Sequence, residues 1–262
     1  MEKEEIKNTR FKLIVAYDGT VYHGWQYQPG VATIEGELSR ALQDLFAKET
    51  VIIGGSRTDA GVHALGNIAV FDAITPIPGT QIAFALNRRL PPDIRVQHSE
   101  AVADDFHPRR TASRKTYEYR IWNTALPLPT KRLYHHFTHQ QLDIGLMKAG
   151  AGYLLGEHDF TSFAAAGGIA DANALVNNTR IIYSVEVAAF DREIIITLTG
   201  SGFLYNMVRI IIGTLMEIGR GKYPPAEIEK IIAVRDRRFA GPTAPACGLT
   251  LIGWEFIEEE RK

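Results

Sequence analysis

Apolar positions along this chain recur with two periods, and the alternation between them sets out a repeated order of elements. Phe11 to Tyr17 reads as a strand. Thr33 then stands where a helix N-cap belongs, ahead of Ile34, Leu38, Ala41, Leu42, Leu45 and Phe46, which share one helical face. Strands are expected near 50–53 and 67–72, a helix over Thr80 to Leu90 stopped by Pro91-Pro92, and a strand over Ile94 to Val102. That order is β-α-β-β-α-β, the ferredoxin-like one. The second half repeats it: a strand at 115–122, a helix at 140–155, strands at 180–190 and 193–199, a helix at 203–219 and a closing strand from Leu249 to Phe256. An extra helix, Pro224 to Val234, has proline at its start, where a missing N–H costs nothing. The expected class is therefore α+β: two ferredoxin-like halves with mainly antiparallel sheets and a cleft between them. Residues 1–105 form the first domain and 106–262 the second, with the boundary in the polar, basic stretch 103–114. Residues 164–178, small and unpatterned, read as a mobile surface loop.

Composition narrows the class of function. The 262 residues are 45% hydrophobic and 23% charged, enough for a sizeable core. The single cysteine, Cys247, excludes an intrachain disulfide and a thiolate metal cluster and favours a reducing compartment, the cytoplasm. Met1 to Arg10 has no apolar run of the secretory kind, and the strongest apolar run, Ile210 to Ile212, is far too short for a bilayer, so no membrane association is expected. With a net charge of −1, a polyanionic partner has to be met by local patches. Arg88-Arg89, Arg109-Arg110 with Arg114-Lys115, and Arg235 with Arg237-Arg238 are the candidates.

Candidate chemistry centres on Gly54-Gly55-Ser56-Arg57-Thr58-Asp59-Ala60-Gly61-Val62-His63-Ala64, which lies between two expected strands. Asp59 sits among small residues with Arg57 two positions away, a setting that keeps a carboxylate ionised and placed as a nucleophile. The same residues also suit a plain turn capped by Asp59. Phe106 to Arg120 interleaves cations with aromatics, so phosphates can be met while a tyrosine stacks on a base. Read as an edge strand, that stretch places one of Tyr117 and Tyr119 in the core. In the apolar helix opened by Phe203, Arg209 is the only charge before Glu217, and it needs a partner or a path to water. Asp59 is a plausible counter-charge. Asp18 and Asp159 sit in expected turns and read as structural. The eight histidines lack metal-ligand spacing, so no metal is expected.

These motifs together resemble the tRNA pseudouridine synthase A family. The resemblance rests on Gly55 to Ala64, on Tyr17-Asp18-Gly19-Thr20 with Gly24-Trp25-Gln26, on Lys115-Thr116-Tyr117-Glu118-Tyr119, on Gly156 to Phe163, and on Phe203 to Arg209. It runs from about residue 10 to 256. It implies a pseudouridine synthase fold and an isomerase that converts uridine to pseudouridine in the anticodon stem-loop of tRNA, at positions 38 to 40 in tRNA numbering, as a homodimer without cofactor. By the family pattern Asp59 is the nucleophile, Tyr117 stacks on the flipped base and is placed to assist proton removal, and Arg57 and Arg209 surround the carboxylate. Arg109, Arg110, Arg114, Lys115 and His63 join Tyr117 as substrate contacts. An arginine that follows Ser-Phe in many relatives is replaced by Ala164-Ala165-Ala166.

Two other classes compete on the residues alone. A noncatalytic RNA-binding module would use the same basic and aromatic surface with Asp59 as a turn residue. A nucleoside or glycosyl hydrolase would need a second carboxylate at a set separation, which only Asp18 or Asp159 offers.

Overall fold

The computed structural model describes residues 7–165 and 177–257. The chain forms two compact units, residues 1–112 with 251–262 and residues 113–250. The 164–178 loop expectation falls largely on residues outside those described.

The first unit opens with β1 (Asn8–Tyr17), α1 (Ile34–Phe46), β2 (Ile53–Gly54), β3 (His63–Ile74), α2 (Ile82–Asn87) and β4 (Ile94–Val102). Strand β1 pairs antiparallel with β3, bringing Phe11 opposite Phe71 and Leu13 opposite Ala69. On its other side β1 pairs antiparallel with β4. The two-residue β2 pairs antiparallel with β3. The β4-β1-β3 order with β2 on β3 is the ferredoxin-like arrangement the periodicity predicts. In β1 every second residue from Phe11 to Tyr17 is buried, as a sheet with one covered face requires. Helix α1 buries Ile34, Leu38, Ala41 and Leu42, and Thr33 caps it by accepting the Gly36 amide at 3.2 Å. Each large aliphatic side chain so buried stabilises the unit by about 1.5–3 kcal/mol.

The second unit contains β5 (Ser113–Asn123), β6 (His136–Thr138), α3 (Ile144–Gly152), β7 (Gly156–Asp159), β8 (Thr179–Phe190), β9 (Glu193–Gly200), α4 (Met207–Gly219) and α5 (Glu227–Val234). Its sheet runs β5-β9-β8-β7 through antiparallel pairs, and β6 pairs in parallel with the end of β5. Helix α4 is buried at every residue but Arg209. Its Gly213 is required by space, because a Cβ there would stand 1.7 Å from the Pro242 carbonyl oxygen. The last strand, β10 (Leu249–Phe256), lies beside β3, and from Leu251 onward it is grouped with the first unit rather than with the elements it follows in sequence.

Several elements differ from their sequence expectation for local reasons. The 80–90 helix splits into a 3-10 turn and the six-residue α2. Helix α4 starts at Met207 rather than 203, since Asn206 takes a left-handed conformation with φ 59°. Helix α5 starts at Glu227, after Pro224 and Pro225 have passed in a turn. Strands β6 and β7 are too short to announce themselves by periodicity. Tyr117 and Tyr119 are both buried, which corrects the expectation of one: residues two apart in a strand share a face. Nor is β5 an edge strand, for β9 flanks one side and β6 part of the other.

Candidate active site

Residues 55–62 connect β2 to β3 without a ladder of their own, yet the stretch is tied down at nearly every step. The Gly55 amide donates to the Ile68 carbonyl at 2.7 Å. Asn67, fully buried in β3, grips Ser56 at both its amide and its carbonyl. Its Oδ1 accepts the Ser56 amide at 3.2 Å and its Nδ2 donates to the Ser56 carbonyl at 2.9 Å. The Tyr17 hydroxyl lies 2.7 Å from Thr58 Oγ1, and the Thr58 carbonyl accepts the Trp25 amide at 3.0 Å. Beyond Asp59, the Gly61 amide donates to the Tyr22 carbonyl and the Val62 amide to the Asp59 carbonyl, both at 3.2 Å.

Glycines let the backbones approach this closely. Gly24 has φ +90°, and a Cβ there would lie 2.7 Å from the Thr58 carbonyl oxygen. At Gly19 a Cβ would stand 2.0 Å from the Val62 carbonyl oxygen. The segment from Tyr17 to Trp25 is thus a brace, pressed against the loop from Thr58 to Val62. As a result Ser56 and Thr58 are buried, Arg57 projects into solvent, and Asp59 is half-buried.

Around this loop the first unit gathers cations. Arg109 and Arg110 are exposed. Burial, and next the charge of Arg57, hold the Arg109 guanidinium below its usual value, with Glu35 pulling the other way. Like-charged guanidiniums close enough to oppose each other's protonation suit a polyanion. Burial and the Arg110 and Arg109 charges likewise push His107 down, keeping it neutral near pH 7. His63 is buried, and its Nδ1 accepts the Gly19 amide at 3.1 Å, so its observed contact props the brace. Asp18 accepts from the Thr20 amide and hydroxyl, the turn geometry its sequence suggests.

In the second unit, Tyr117 is 6% exposed and sits in the middle of β5 opposite Leu198. Its ring meets the Phe203 ring edge-on, with centroids 5.2 Å apart. The Arg114 guanidinium lies 4.8 Å from the centre of the Tyr183 ring, and Lys115 is half-buried nearby on the same strand. Arg209 is oriented from two sides: Nε donates to the Ala244 carbonyl and Nη1 to Asn206 Oδ1, each at 2.7 Å. The third basic cluster is engaged within the second unit, with Arg235 on Asp159 at the end of β7 at 3.2 Å and Arg238 on Asp236 at 2.6 Å. Asp159 also caps its own turn through the Thr161 amide and hydroxyl. Sequence reasoning singled out Asp59, Arg57, Tyr117 and Arg209 but missed Asn67 and Thr58 as members of the site's frame. Only a known β3 register places the Asn67 carboxamide under Ser56.

Against known proteins, the sequence model described as tRNA pseudouridine synthase matches residues 13–109 and 151–256. The chain is 44% identical to the tRNA pseudouridine synthase A of Acetivibrio thermocellus, over 92% of this chain and 97% of that protein. It is 43% identical to the tRNA pseudouridine synthase A of Bacillus licheniformis, over 95% of this chain and 98% of the relative. The protein of the same name from Thermoanaerobacter sp. strain X514 is also 43% identical, over 92% and 96%.

Proposed function

This chain belongs to the tRNA pseudouridine synthase family, isomerases that convert uridine to pseudouridine in tRNA, and from that premise we propose that it acts on positions 38 to 40 of the anticodon stem-loop with Asp59 as its nucleophile. The observation that carries the assignment of Asp59 is the braced loop. A carboxylate that serves only as a turn cap needs no fixed neighbours, whereas Thr58 before it and Gly61 after it are both held by the Tyr17–Trp25 segment.

The reaction redistributes bonds without oxidation. The C1′–N1 bond of uridine breaks, the uracil turns over in the pocket, a C1′–C5 bond forms, and C5 loses its proton while N1 gains one. Asp59 provides the nucleophile for the first step. Tyr117 supplies the aromatic platform for the flipped base, with its hydroxyl placed to assist proton removal from C5. Arg57, two positions from Asp59 on the same loop, supplies positive charge on that side of the site, and Arg209 is the further catalytic residue of this reading. Flipping a nucleotide out of a stem costs a few kcal/mol. Phosphate contacts from Arg109, Arg110, Arg114 and Lys115 offset that cost without reading sequence. The reading invokes no cofactor for such an isomerisation and takes the enzyme as a homodimer in the cytoplasm, where a half-buried lone Cys247 stays reduced. Among the described residues no helix is long and apolar enough to cross a membrane.

The test is tRNA transcript tritiated at uridine C5. The isomerase releases tritium to water with no free uracil, and replacing the uridines at positions 38 to 40 by cytidine abolishes release. Free uracil would mean a hydrolase, and binding without release a noncatalytic RNA-binding module.

A further inference from the structure

Asn67 and Tyr17 form a buried relay that ends one residue before Asp59. We infer that these two are positioning residues for the reaction, fixing the Asp59 carboxylate through Thr58; the inference rests on the reading of Asp59 as the reacting group. All four hydrogen-bonding positions of the Asn67 carboxamide are filled. Oδ1 accepts from the amides of Ser56 (3.2 Å) and Ile68 (2.9 Å), and Nδ2 donates to the Ser56 carbonyl (2.9 Å) and to the Tyr17 hydroxyl oxygen (3.1 Å). The same Tyr17 oxygen is hydrogen-bonded to Thr58 Oγ1 at 2.7 Å, with either hydroxyl able to donate.

A fully buried amide could be explained by packing alone, but its partners argue otherwise. Ladder pairing on this side ends with Gly54, the last residue of β2. The carboxamide therefore replaces the missing strand neighbour for Ser56, and the Tyr17 hydroxyl extends the hold to Thr58. Chains of hydrogen bonds in a low-dielectric interior strengthen one another. With Thr58 gripped at its side chain by Tyr17 and at its carbonyl by Trp25, few soft torsions remain between the brace and the Asp59 carboxylate. A nucleophile so held loses little freedom on reaching the reacting atom. The Asn67 and Tyr17 side chains lie beneath the loop, with exposures of 0% and 4%, so they act through Thr58 and not on the substrate.

The experiment compares the wild type with Tyr17→Phe, Thr58→Val and their double variant, plus Asp59→Ala. Each is read at a temperature where circular dichroism shows it folded. The readouts are the single-turnover rate of pseudouridine formation with enzyme in excess, and the tRNA dissociation constant. Tyr17→Phe and Thr58→Val break the Tyr17–Thr58 hydrogen bond from opposite ends and alter shape very little; Tyr17→Phe also removes the acceptor of Asn67 Nδ2. Each should slow the chemical step about 10- to 100-fold, leave tRNA affinity within about twofold, and combine in the double variant to no more than the larger single loss. If one of the two proves unfoldable, the other carries the test. A wild-type chemical rate in either variant, or equal loss of rate and affinity, overturns the inference. The Asp59→Ala control separates the layers: if it is inactive while Tyr17→Phe is fast, only the relay is wrong, and if it is itself active, the underlying assignment has failed.

Discussion

Asp59 and Tyr117 are held by opposite means. Tyr117 stands in the middle of β5, where the β9 ladder fixes its backbone and the Phe203 ring meets it edge-on. Asp59 stands on a stretch with no ladder, and its position comes from side chains reaching into backbone groups and from glycines that let two loops touch. A strand delivers a side chain with the precision of its register but only perpendicular to the sheet. A braced loop can aim a carboxylate in a direction no regular element offers, at the cost of requiring many specific residues. The second kind of site should therefore be far less tolerant of small changes remote from the reacting atoms.

The largest effect expected from that contrast is at Gly19. Its backbone is not left-handed, so alanine meets no conformational penalty, only the Val62 carbonyl at 2.0 Å from the new Cβ. Backbone must move, and Gly19→Ala should lower single-turnover activity by about 100-fold or more and destabilise the fold by about 1–3 kcal/mol. Urea unfolding and tritium release measure both. Tolerance there would show that the brace does not set the position of Asp59.

A smaller and cleaner effect is expected on the strand side. Tyr117→Phe keeps the edge-on contact with Phe203 and the place in β5, so melting should stay within about 3 °C of the wild type. Turnover should fall about 10- to 100-fold through loss of the hydroxyl. Loss of folding in this variant would mean that the ladder alone does not hold the strand.

The mildest prediction concerns pH. Burial, with the Arg220 charge adding to it, pushes His136 on β6 below its ordinary 6.5. Below that value the unfolded chain takes up a proton that the folded protein resists, so stability is intact above pH 6.5 and declines as pH falls. The slope from this one group is at most about 1.4 kcal/mol per pH unit. His136→Gln should flatten the fall in melting temperature between pH 7 and pH 5.5, and an unchanged profile would place the cause elsewhere.

How much of this could be read from the sequence follows the same division. Regular elements with long apolar periods, such as β1, α1 and β9, are legible because their own residues determine which face is buried. Element starts are less so: Phe203 and Leu204 extend the apolar pattern of α4, but the left-handed Asn206 delays the helix to Met207. In the candidate site, Asp59 and Arg57 stand out because glycines and charge cluster around them. Asn67 does not, since one asparagine in an alternating strand looks like any other until β3 is paired. Its partners lie 11 and 50 residues away, at Ser56 and Tyr17. Local pattern cannot express a role defined by such separations.

Asp59→Asn keeps the size of the side chain and removes only its charge and nucleophilicity, so it isolates the part that a rigidly held Asp59 carboxylate plays in the chemistry. With enzyme in excess over tritiated tRNA, the expected result is no tritium release above background and a tRNA dissociation constant within about threefold of wild type, a change below ~1 kcal/mol. Release at the wild-type rate would contradict it.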